Sequence, residues 1–494
     1  MKKHISLSRA LYEEIRAQIF DGVFAAGAPL PSTRSLAEER GLSRSTVTVV
    51  YEQLAADGLI DTHPGAASRV ASGASRLHKR HDGSTKGQGK AHTRRPGRLS
   101  ALGQRVAAMH LHASPPAGPQ EIDFVYGPLA GEDFPTLPWM RAVRAVEHQR
   151  GRRLEYESPL GNLELRRALQ AHLSQTRGLT CSVEQILIVN GSQQALHLCA
   201  QLLVDPGDQV VVENPGYRMA HHAFSACGAK LVGMGVDAQG LVTGELDGLG
   251  PAQLLFVTPT HQFPLGAFLP LARRRELLAW AARKGAWVIE DDYDSEYRYS
   301  VRPEQTLWSL DPHGCVIHVG TFSKTLSPQL RLGYMVLPME LVETFAGNKR
   351  LVDRHAATGA QRALARLIEE GSYARHVGRM RRLQRQRQET LVLALTQHLG
   401  DRVEIQGAAS GLHLVAWLKN LPASAEQALV EEAARLGVRV HPISPLYLPD
   451  ESKTQPNRPA GLVMGYALLG SAAIKKGVRL LRDAVTRVQQ RQRV

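Results

Sequence analysis

Short apolar runs alternate with helical stretches from about residue 121 onward, and this alternation constrains the fold more than any other feature of the chain. Glycine and proline turns or helix-like segments separate most of the runs, as expected for a mostly parallel sheet covered by helices on both faces. The sequence therefore predicts a large α/β domain with a seven-stranded sheet. Its strands cover residues 185–190, 209–213, 230–236, 253–258, 286–290, 315–320 and 332–337.

The last part of the chain has a different pattern. Residues 343–397 are predicted to be helical and strongly basic, with six arginines in their second half: Arg375, Arg379, Arg381, Arg382, Arg385 and Arg387. The rest mixes helices with strand-like runs at 412–418, 438–441 and 462–466. This mixture predicts a smaller C-terminal α+β subdomain over about residues 380–494.

Residues 1–72 predict a winged helix-turn-helix, a DNA-binding module. Apolar residues recur every four positions over residues 8–22, and Ser32 and Ser43 are good N-caps for two further helices. A tight glycine turn separates these two helices, the second of which covers residues 44–56. A hairpin around His63 follows and would form the wing, which completes the order of elements typical of this module.

The segment between the two parts, residues 73–120, is predicted to be a basic flexible linker with a short helix around residues 99–109. The chain has a net charge of +14, and residues 1–72 are neutral overall. Residues 71–120 contain nine lysines and arginines and a single acid, Asp82. A segment of this charge attracts polyanions, so the linker either contacts DNA phosphates or serves only as a solvated spacer.

The sequence argues against a membrane-spanning protein, a secreted protein and a protein held together by disulfides. No apolar run reaches the length that spans a membrane, and no apolar segment follows Lys2 and Lys3 as it would in a signal peptide. A cytoplasmic protein is therefore expected. The four cysteines are widely spaced, which predicts neither a disulfide framework nor a metal site.

Lys324 is the strongest candidate for chemistry. It lies among small and hydroxyl residues directly after the apolar run at 315–320, where an open α/β sheet places its ligands. A lysine amine forms an imine with an aldehyde, which suits pyridoxal 5'-phosphate (PLP). Three other residues at strand ends are candidates for the ring. Asp291 would pair with the pyridine nitrogen, Tyr293 would bond the phenolic oxygen and Tyr217 would stack.

A phosphate group has candidate partners as well. Ser192 and Gln193 open a helix directly after a strand, and backbone N–H groups at such a position bind phosphate. Arg331 lies seven residues after Lys324 and Ser323 adds a hydroxyl. Each of these residues taken alone has an ordinary structural reading, as a helix cap, a half-buried aromatic residue or a surface ion pair. Their order at successive strand ends favours the site.

These motifs carry a resemblance to known families. Residues 121–494 resemble a fold-type I PLP enzyme of the aminotransferase class I/II family. The motifs are Gly191-Ser192-Gln193-Gln194-Ala195, Asn214-Pro215-Gly216-Tyr217, Asp291-Asp292-Tyr293 and Ser323-Lys324-Thr325-Leu326. Residues 1–72 resemble a GntR-type winged helix through Pro31-Ser32-Thr33-Arg34 and Ser43-Arg44-Ser45-Thr46. The combination is similar to the MocR/GabR-type transcriptional regulators.

The resemblance implies a PLP-dependent regulator that binds operator DNA and senses PLP or a PLP-bound amino compound. It implies a homodimer in which Lys324 holds the cofactor, with Asp291, Tyr293, Tyr217, Ser192, Gln193, Ser323 and Arg331 around it. Arg34, Arg44, Ser45 and Thr46 would contact the DNA. The alternatives are a metabolic aminotransferase with an accessory DNA-binding domain and a binding protein that no longer holds PLP.

The departures from the family pattern bear on the effector. Phe263 stands where aminotransferases have an asparagine near the phenolic oxygen, and Met219 stands where the GABA-responsive member has a carboxylate-binding arginine. Arg458 is the nearest candidate for a second such arginine. Without this pair of arginines GABA is not expected to be the effector, and PLP itself becomes the predicted signal. Transamination needs a held substrate carboxylate, so no physiological catalysis is expected beyond a residual half-reaction.

Overall fold

The computed structural model describes residues 7–63, 66–72, 97–111, 118, 122–149, 155–300, 305–449 and 458–492. The chain divides into two compact units, residues 1–97 and residues 98–494. Residues 73–96 of the predicted linker and the predicted wing tip at residues 64–65 lie outside the described residues. The predicted domain boundaries after residues 72 and 120 stay predictions.

The first unit is the predicted winged helix-turn-helix. It contains α1 (Leu7–Phe20), α2 (Thr33–Arg40), α3 (Arg44–Ala56) and an antiparallel hairpin of β1 (Ile60–Asp61) and β2 (Arg69–Val70). The side chains of Ser32 and Ser43 accept hydrogen bonds from backbone N–H groups three residues later, so both predicted N-caps are confirmed. Apolar residues of all three helices and of the hairpin form one core.

The second unit is built around an eight-stranded mixed sheet. Its strands are β4 (Ile186–Val189), β5 (Gln209–Asn214), β6 (Lys230–Asp237), β7 (Gly240–Leu241), β8 (Leu254–Val257), β9 (Trp287–Asp292), β10 (Val316–Thr321) and β11 (Gly333–Val336). They are arranged in the order β4-β11-β10-β9-β8-β5-β6-β7. All seven predicted strands are present, and the two-residue β7 is the addition. Strands β7 and β11 run against the other six.

Helices cover both faces of this sheet, as its fully buried strands require. They are α5 (Thr136–Glu147), α6 (Leu163–Arg177), α7 (Ser192–Leu203), α8 (Arg218–Cys227), α9 (Leu271–Lys284), α10 (Leu307–Leu310), α11 (Met339–Asp353), α12 (Thr358–Glu369) and α13 (Ser372–Leu399). A further helix precedes them, α4 (Ala101–Ala108), within the predicted linker; we call it the linker helix. Helix α13 leads from this layer into the C-terminal part.

The predicted C-terminal α+β subdomain is confirmed. An antiparallel sheet of β12 (Val403–Gln406), β13 (His413–Pro422), β16 (Pro459–Gly465) and β15 (His441–Pro442) packs with α14 (Glu426–Arg435) and α15 (Ser471–Gln492). A separate pair, β3 (Ile122–Asp123) with β14 (Val438–Arg439), ties the start of this unit to its end. No helix in the described parts of the chain is long and apolar enough to span a membrane.

One of the six arginines noted in the sequence of α13 is buried. Arg387 donates from Nη1 to Asp133 Oδ2 (2.7 Å) and to the carbonyl oxygen of Ala467 (2.8 Å). The strongly basic sequence of α13 therefore has two functions, because some of its charges hold segments of the fold together while others, such as Arg382, face solvent.

Candidate functional site

A cavity opens at the carboxyl ends of β4, β5, β9 and β10, the edge at which an open parallel sheet binds ligands. All eight predicted cofactor residues line it: Ser192, Gln193, Tyr217, Asp291, Tyr293, Ser323, Lys324 and Arg331. Tyr126, Thr258, Phe263, Thr321 and Pro328 complete the lining. The structure therefore brings together the side chains that the motifs indicated.

Lys324 lies just beyond β10, and its amine is partly buried. Its Nζ donates to the carbonyl oxygen of Gly127 at 3.2 Å and lies 4.7 Å from the ring centre of Tyr126. Burial lowers the pKa of Lys324 to about 8, although Asp294 and Asp291 act in the opposite direction. The amine is therefore closer to its nucleophilic, unprotonated form near neutral pH than a surface lysine is.

Asp291 lies on β9, beside Val319 of the neighbouring strand β10. Its Oδ1 is buried and has no hydrogen-bond partner among the described residues. Burial raises the pKa of Asp291 to about 7, with Asp292 adding to the rise. A buried carboxylate oxygen without a donor is the partner that a protonated pyridine nitrogen needs, so this residue fits the ring of PLP.

The phosphate end of the cavity combines a helix start with a guanidinium. Helix α7 begins at Ser192 after Gly191, whose φ is +83°. A Cβ at Gly191 would lie 2.9 Å from Nη2 of Arg331, so only glycine lets the arginine approach this turn. Arg331 donates from Nη2 to the carbonyl oxygen of Asn190 (2.7 Å) and lines the cavity beside this helix start. This arrangement suits a phosphate group.

A buried ion pair supports this turn, and the motifs did not indicate it. Asp353, the last residue of α11, accepts from Nζ of the fully buried Lys349 at 2.8 Å. It also accepts from Asn190 Nδ2 (2.9 Å) and Gln194 Nε2 (2.8 Å), the residues on either side of Ser192 and Gln193. The charge pattern Lys349–Asp353 at four-residue spacing was visible, but its distant partners were not.

Tyr293 has neighbours that sequence reasoning missed. Its hydroxyl donates to the carbonyl oxygen of His261 at 2.7 Å, and the same histidine places Nδ1 3.1 Å from Asp294 Oδ2. His413 joins these two side chains, with one ligand atom of each within 4.8 Å of the others. The signal for this cluster lies beside Phe263 and Asp291, because His261 and Asp294 stand two and three positions from them.

An aromatic ring occupies the position at which aminotransferases have an asparagine. Phe263 lies with its ring centre 5.1 Å from that of Tyr126 and 5.7 Å from that of Tyr217. Tyr293 stays the predicted partner of a phenolic oxygen, and to donate to it its hydroxyl would have to turn away from the carbonyl oxygen of His261. Tyr126 was missed because a tyrosine-glycine pair after a two-residue strand is a weak signal.

Among the described residues, neither position that corresponds to a carboxylate-binding arginine of the family offers a free guanidinium. Met219 is 39% exposed on α8 and has no charge to offer. Arg458 already has a carboxylate partner, because its Nη1 donates to Oε1 of the buried Glu426 at 2.8 Å and its guanidinium lies over Tyr447. Of the described residues that line the cavity, Arg331 alone carries a guanidinium.

The predicted DNA-contacting residues lie on the surface of the first unit. Arg34 on α2 is exposed and pairs loosely with Glu38, from Nε to Oε1 at 3.3 Å. Arg44 begins α3 and is also exposed. Ser45 and Thr46 share a hydroxyl cluster with the N-cap Ser43, at 2.8 and 2.7 Å between oxygens. All four predicted residues therefore lie on solvent-facing parts of the helix-turn-helix.

Comparison with known proteins matches both units. Residues 7–70 match the family of bacterial regulatory proteins of the gntR type, and residues 126–456 match the aminotransferase class I and II family. The second match covers two thirds of the chain, and its fold explains the cavity at the strand ends.

Individual relatives agree. The chain is 35% identical over 97% of its length, and over 94% of the relative's, to the probable rhizopine catabolism regulatory protein MocR of Rhizobium meliloti. It is 31% identical over 83% of both chains to the pyridoxine biosynthesis transcriptional regulator PdxR of Corynebacterium glutamicum. The α-aminoadipate aminotransferase LysN of Thermus thermophilus, solved with N-(5'-phosphopyridoxyl)-L-leucine, superposes with a TM-score of 0.67 at 27% identity, over 75% of this chain and 93% of LysN.

The lowered pKa of Lys324 predicts how attachment of the cofactor varies with pH. The rate of PLP uptake by the apoprotein should rise with pH, pass its midpoint near pH 8 and level off about one pH unit higher, where nearly all of the amine is unprotonated. An exposed lysine would still gain reactivity up to about pH 10. Stopped-flow absorbance between pH 6 and 10 measures this rate.

The Asp294→Asn variant is the control. Asp294 favours the charged form of Lys324, so its removal should move the plateau to lower pH. A rate that climbs steadily to pH 10 in both proteins would contradict the buried lysine as the reacting amine.

Proposed function

The chain belongs to the MocR/GabR-type subfamily of GntR transcriptional regulators, and on that basis we propose that it binds operator DNA through its winged helix and adjusts that binding through PLP held at Lys324. The carrying observation is the convergence of Lys324, Asp291 and Arg331 in one cavity of a chain that also contains a helix-turn-helix. Bound there, PLP supplies an aldehyde for covalent attachment to an amine.

We propose further that PLP itself is the signal. The cavity has partners for each part of PLP: a buried carboxylate for the ring nitrogen, a helix start with Arg331 for the phosphate, and Lys324 for the aldehyde. Apart from Arg331, its described lining has no guanidinium for the carboxylate of a small amino acid, since Arg458 is paired with Glu426. The relative PdxR, named for pyridoxine biosynthesis, supports PLP as the signal. The relative MocR, named for rhizopine catabolism, instead favours a different small compound.

Operator affinity measured with apo and PLP-loaded protein tests this proposal. PLP alone should change the dissociation constant at least several-fold, and added amino acids should change it no further. The Lys324→Ala variant should lose the borohydride-reducible attachment and the response to PLP while keeping the apo affinity. A response to an amino compound with none to PLP would refute PLP as the signal, and borohydride labelling of another lysine would refute the assignment of Lys324.

Helix α8 supplies a physical route from the cofactor toward the linker. It begins at Arg218, directly after Tyr217, and ends at Cys227. At its far end the carbonyl oxygen of Ala226 accepts from Nε of Arg105 at 2.7 Å, and Arg105 belongs to the linker helix. A cation at the carboxyl end of a helix is favoured by the helix dipole. We infer that stacking of the cofactor ring on Tyr217 shifts or stiffens α8 and so changes the hold on the linker helix.

The Arg105→Ala variant should separate cofactor binding from the DNA response. It removes the contact with Ala226 but none of the cavity, so PLP affinity should stay unchanged while the effect of PLP on operator affinity falls by more than half. Arg98→Ala is the matched control, because it removes one linker charge from an exposed residue outside the linker helix. An equal loss of response in both variants would point to charge alone and contradict the proposed route.

We propose that the regulator acts as a homodimer. Exposed apolar side chains support this: Leu351 is 86% exposed and Tyr156 is 73% exposed, with Arg354 over the tyrosine ring at 4.7 Å. Exposed apolar side chains in such a patch are typical of protein interfaces. Light scattering at micromolar concentration should give twice the chain mass. The Leu351→Glu variant should weaken the dimer, and a wild-type monomer would contradict the proposal.

A further inference from the structure

The solvent-facing side of α3 has candidate DNA contacts beyond those at its first residues. Val47, Val50, Tyr51 and Leu54 are buried in the core of the first unit and fix which face of the helix turns inward. The opposite face presents Arg44, Ser45, Thr48, Val49 and Glu52. In a helix-turn-helix this face enters the major groove, so these five side chains are positioned to meet base edges.

The middle of this face is apolar. Val49 is 54% exposed although it lies between polar residues on the same side of the helix. Thr48 donates its hydroxyl to the carbonyl oxygen of Arg44 at 2.9 Å, within the helix. Its hydroxyl hydrogen is thus committed to the backbone, so the side chain offers an outside partner its methyl group and an oxygen that can only accept. Thr48 and Val49 together form what we call the apolar patch of α3.

We propose that the apolar patch of α3 reads thymine by contact with its C5-methyl group. Thymine carries the methyl group that distinguishes it from the other three bases in the major groove, and small apolar side chains are its usual partners. Val49 has no polar atom with which to bond a base edge, so its share of recognition must come from removal of apolar surface from water. Arg44 at the start of the helix and Glu52 one turn beyond Thr48 then bracket a position where thymine is preferred.

This inference rests on the proposed DNA binding and adds to it which base the helix selects. The predicted contacts at Arg34, Arg44, Ser45 and Thr46 provide charge and hydroxyl groups, which bond to phosphates or to polar base edges. They do not distinguish thymine from uracil, since the two bases differ only by the methyl group. The difference between these two bases therefore isolates the apolar patch from every other contact on the same face.

The experiment uses duplexes selected by the wild-type full-length protein from a random pool. Single thymines in the selected site are replaced by deoxyuridine, which removes the methyl group and leaves base pairing unchanged. At one or two positions, wild-type affinity should fall about fourfold, the change that corresponds to about 0.8 kcal/mol for one buried methyl-sized group. Val49→Ala should bind the thymine and deoxyuridine duplexes within twofold of each other.

Two further variants make the result specific. Thr48→Ser keeps the hydroxyl that bonds Arg44 and deletes the methyl, so it should also reduce the discrimination. Val23→Ala changes a valine that is 68% exposed but lies outside α3, and it should discriminate as the wild type does. Circular dichroism confirms folding of each variant.

Each outcome bears on one proposal. Discrimination against deoxyuridine that persists in Val49→Ala and Thr48→Ser, or a selected site without a methyl-sensitive thymine, would overturn the reading by the apolar patch. Failure of the wild type to select any duplex would instead overturn the proposed DNA binding.

Discussion

The partly buried amine of Lys324 is the constraint on which the rest of the site depends. A lysine taken out of water must either lose its proton or find negative charge, and this chain supplies both conditions in part. Burial lowers its pKa to about 8, while Asp291 and Asp294 lie near enough to oppose the shift. Both carboxylates come from the end of β9, the strand that pairs with β10 just before Lys324. The parallel register of two adjacent strands therefore sets the charge balance of the site.

The same register explains why so much of the site was predictable. Continuous apolar runs identified all seven long strands, and strands of an open parallel sheet end at a shared edge, so residues following several runs had to meet. Ser192, Tyr217, Asp291 and Lys324 were found on that basis. What the sequence did not reveal were partners from distant segments that carry no motif. Tyr126 and the Lys349–Asp353 pair reach the site through packing of the whole unit, and no local pattern encodes that packing.

The arginines of α13 show that residues of the same type can have opposite roles along one helix. In α13 the sequence showed only a row of arginines, yet Arg387 is buried against Asp133 while Arg382 faces solvent. Burial of a charge requires a partner, and the partner lies 254 residues away in sequence. The same reasoning applies to Arg458, which looked like a ligand-binding arginine and instead holds Glu426. A guanidinium in a sequence predicts a carboxylate partner, but only the fold decides whether that partner belongs to the protein or to a ligand.

This distinction bears on how the effector acts. Because Arg458 is held by Glu426, Arg331 is the one guanidinium that the described lining offers to an anionic group. The phosphate of PLP would take that guanidinium together with the start of α7, which leaves no second guanidinium in the described lining for the carboxylate of a free amino acid. Asp291 Oδ1 also lacks a donor among the described residues, and the protonated nitrogen of a pyridine ring would satisfy it. In the proposed route, Tyr217 leads directly into α8, so an adjustment of the ring would reach the carbonyl oxygen of Ala226 that holds Arg105. The contacts that would select PLP would thus also connect it to the linker helix.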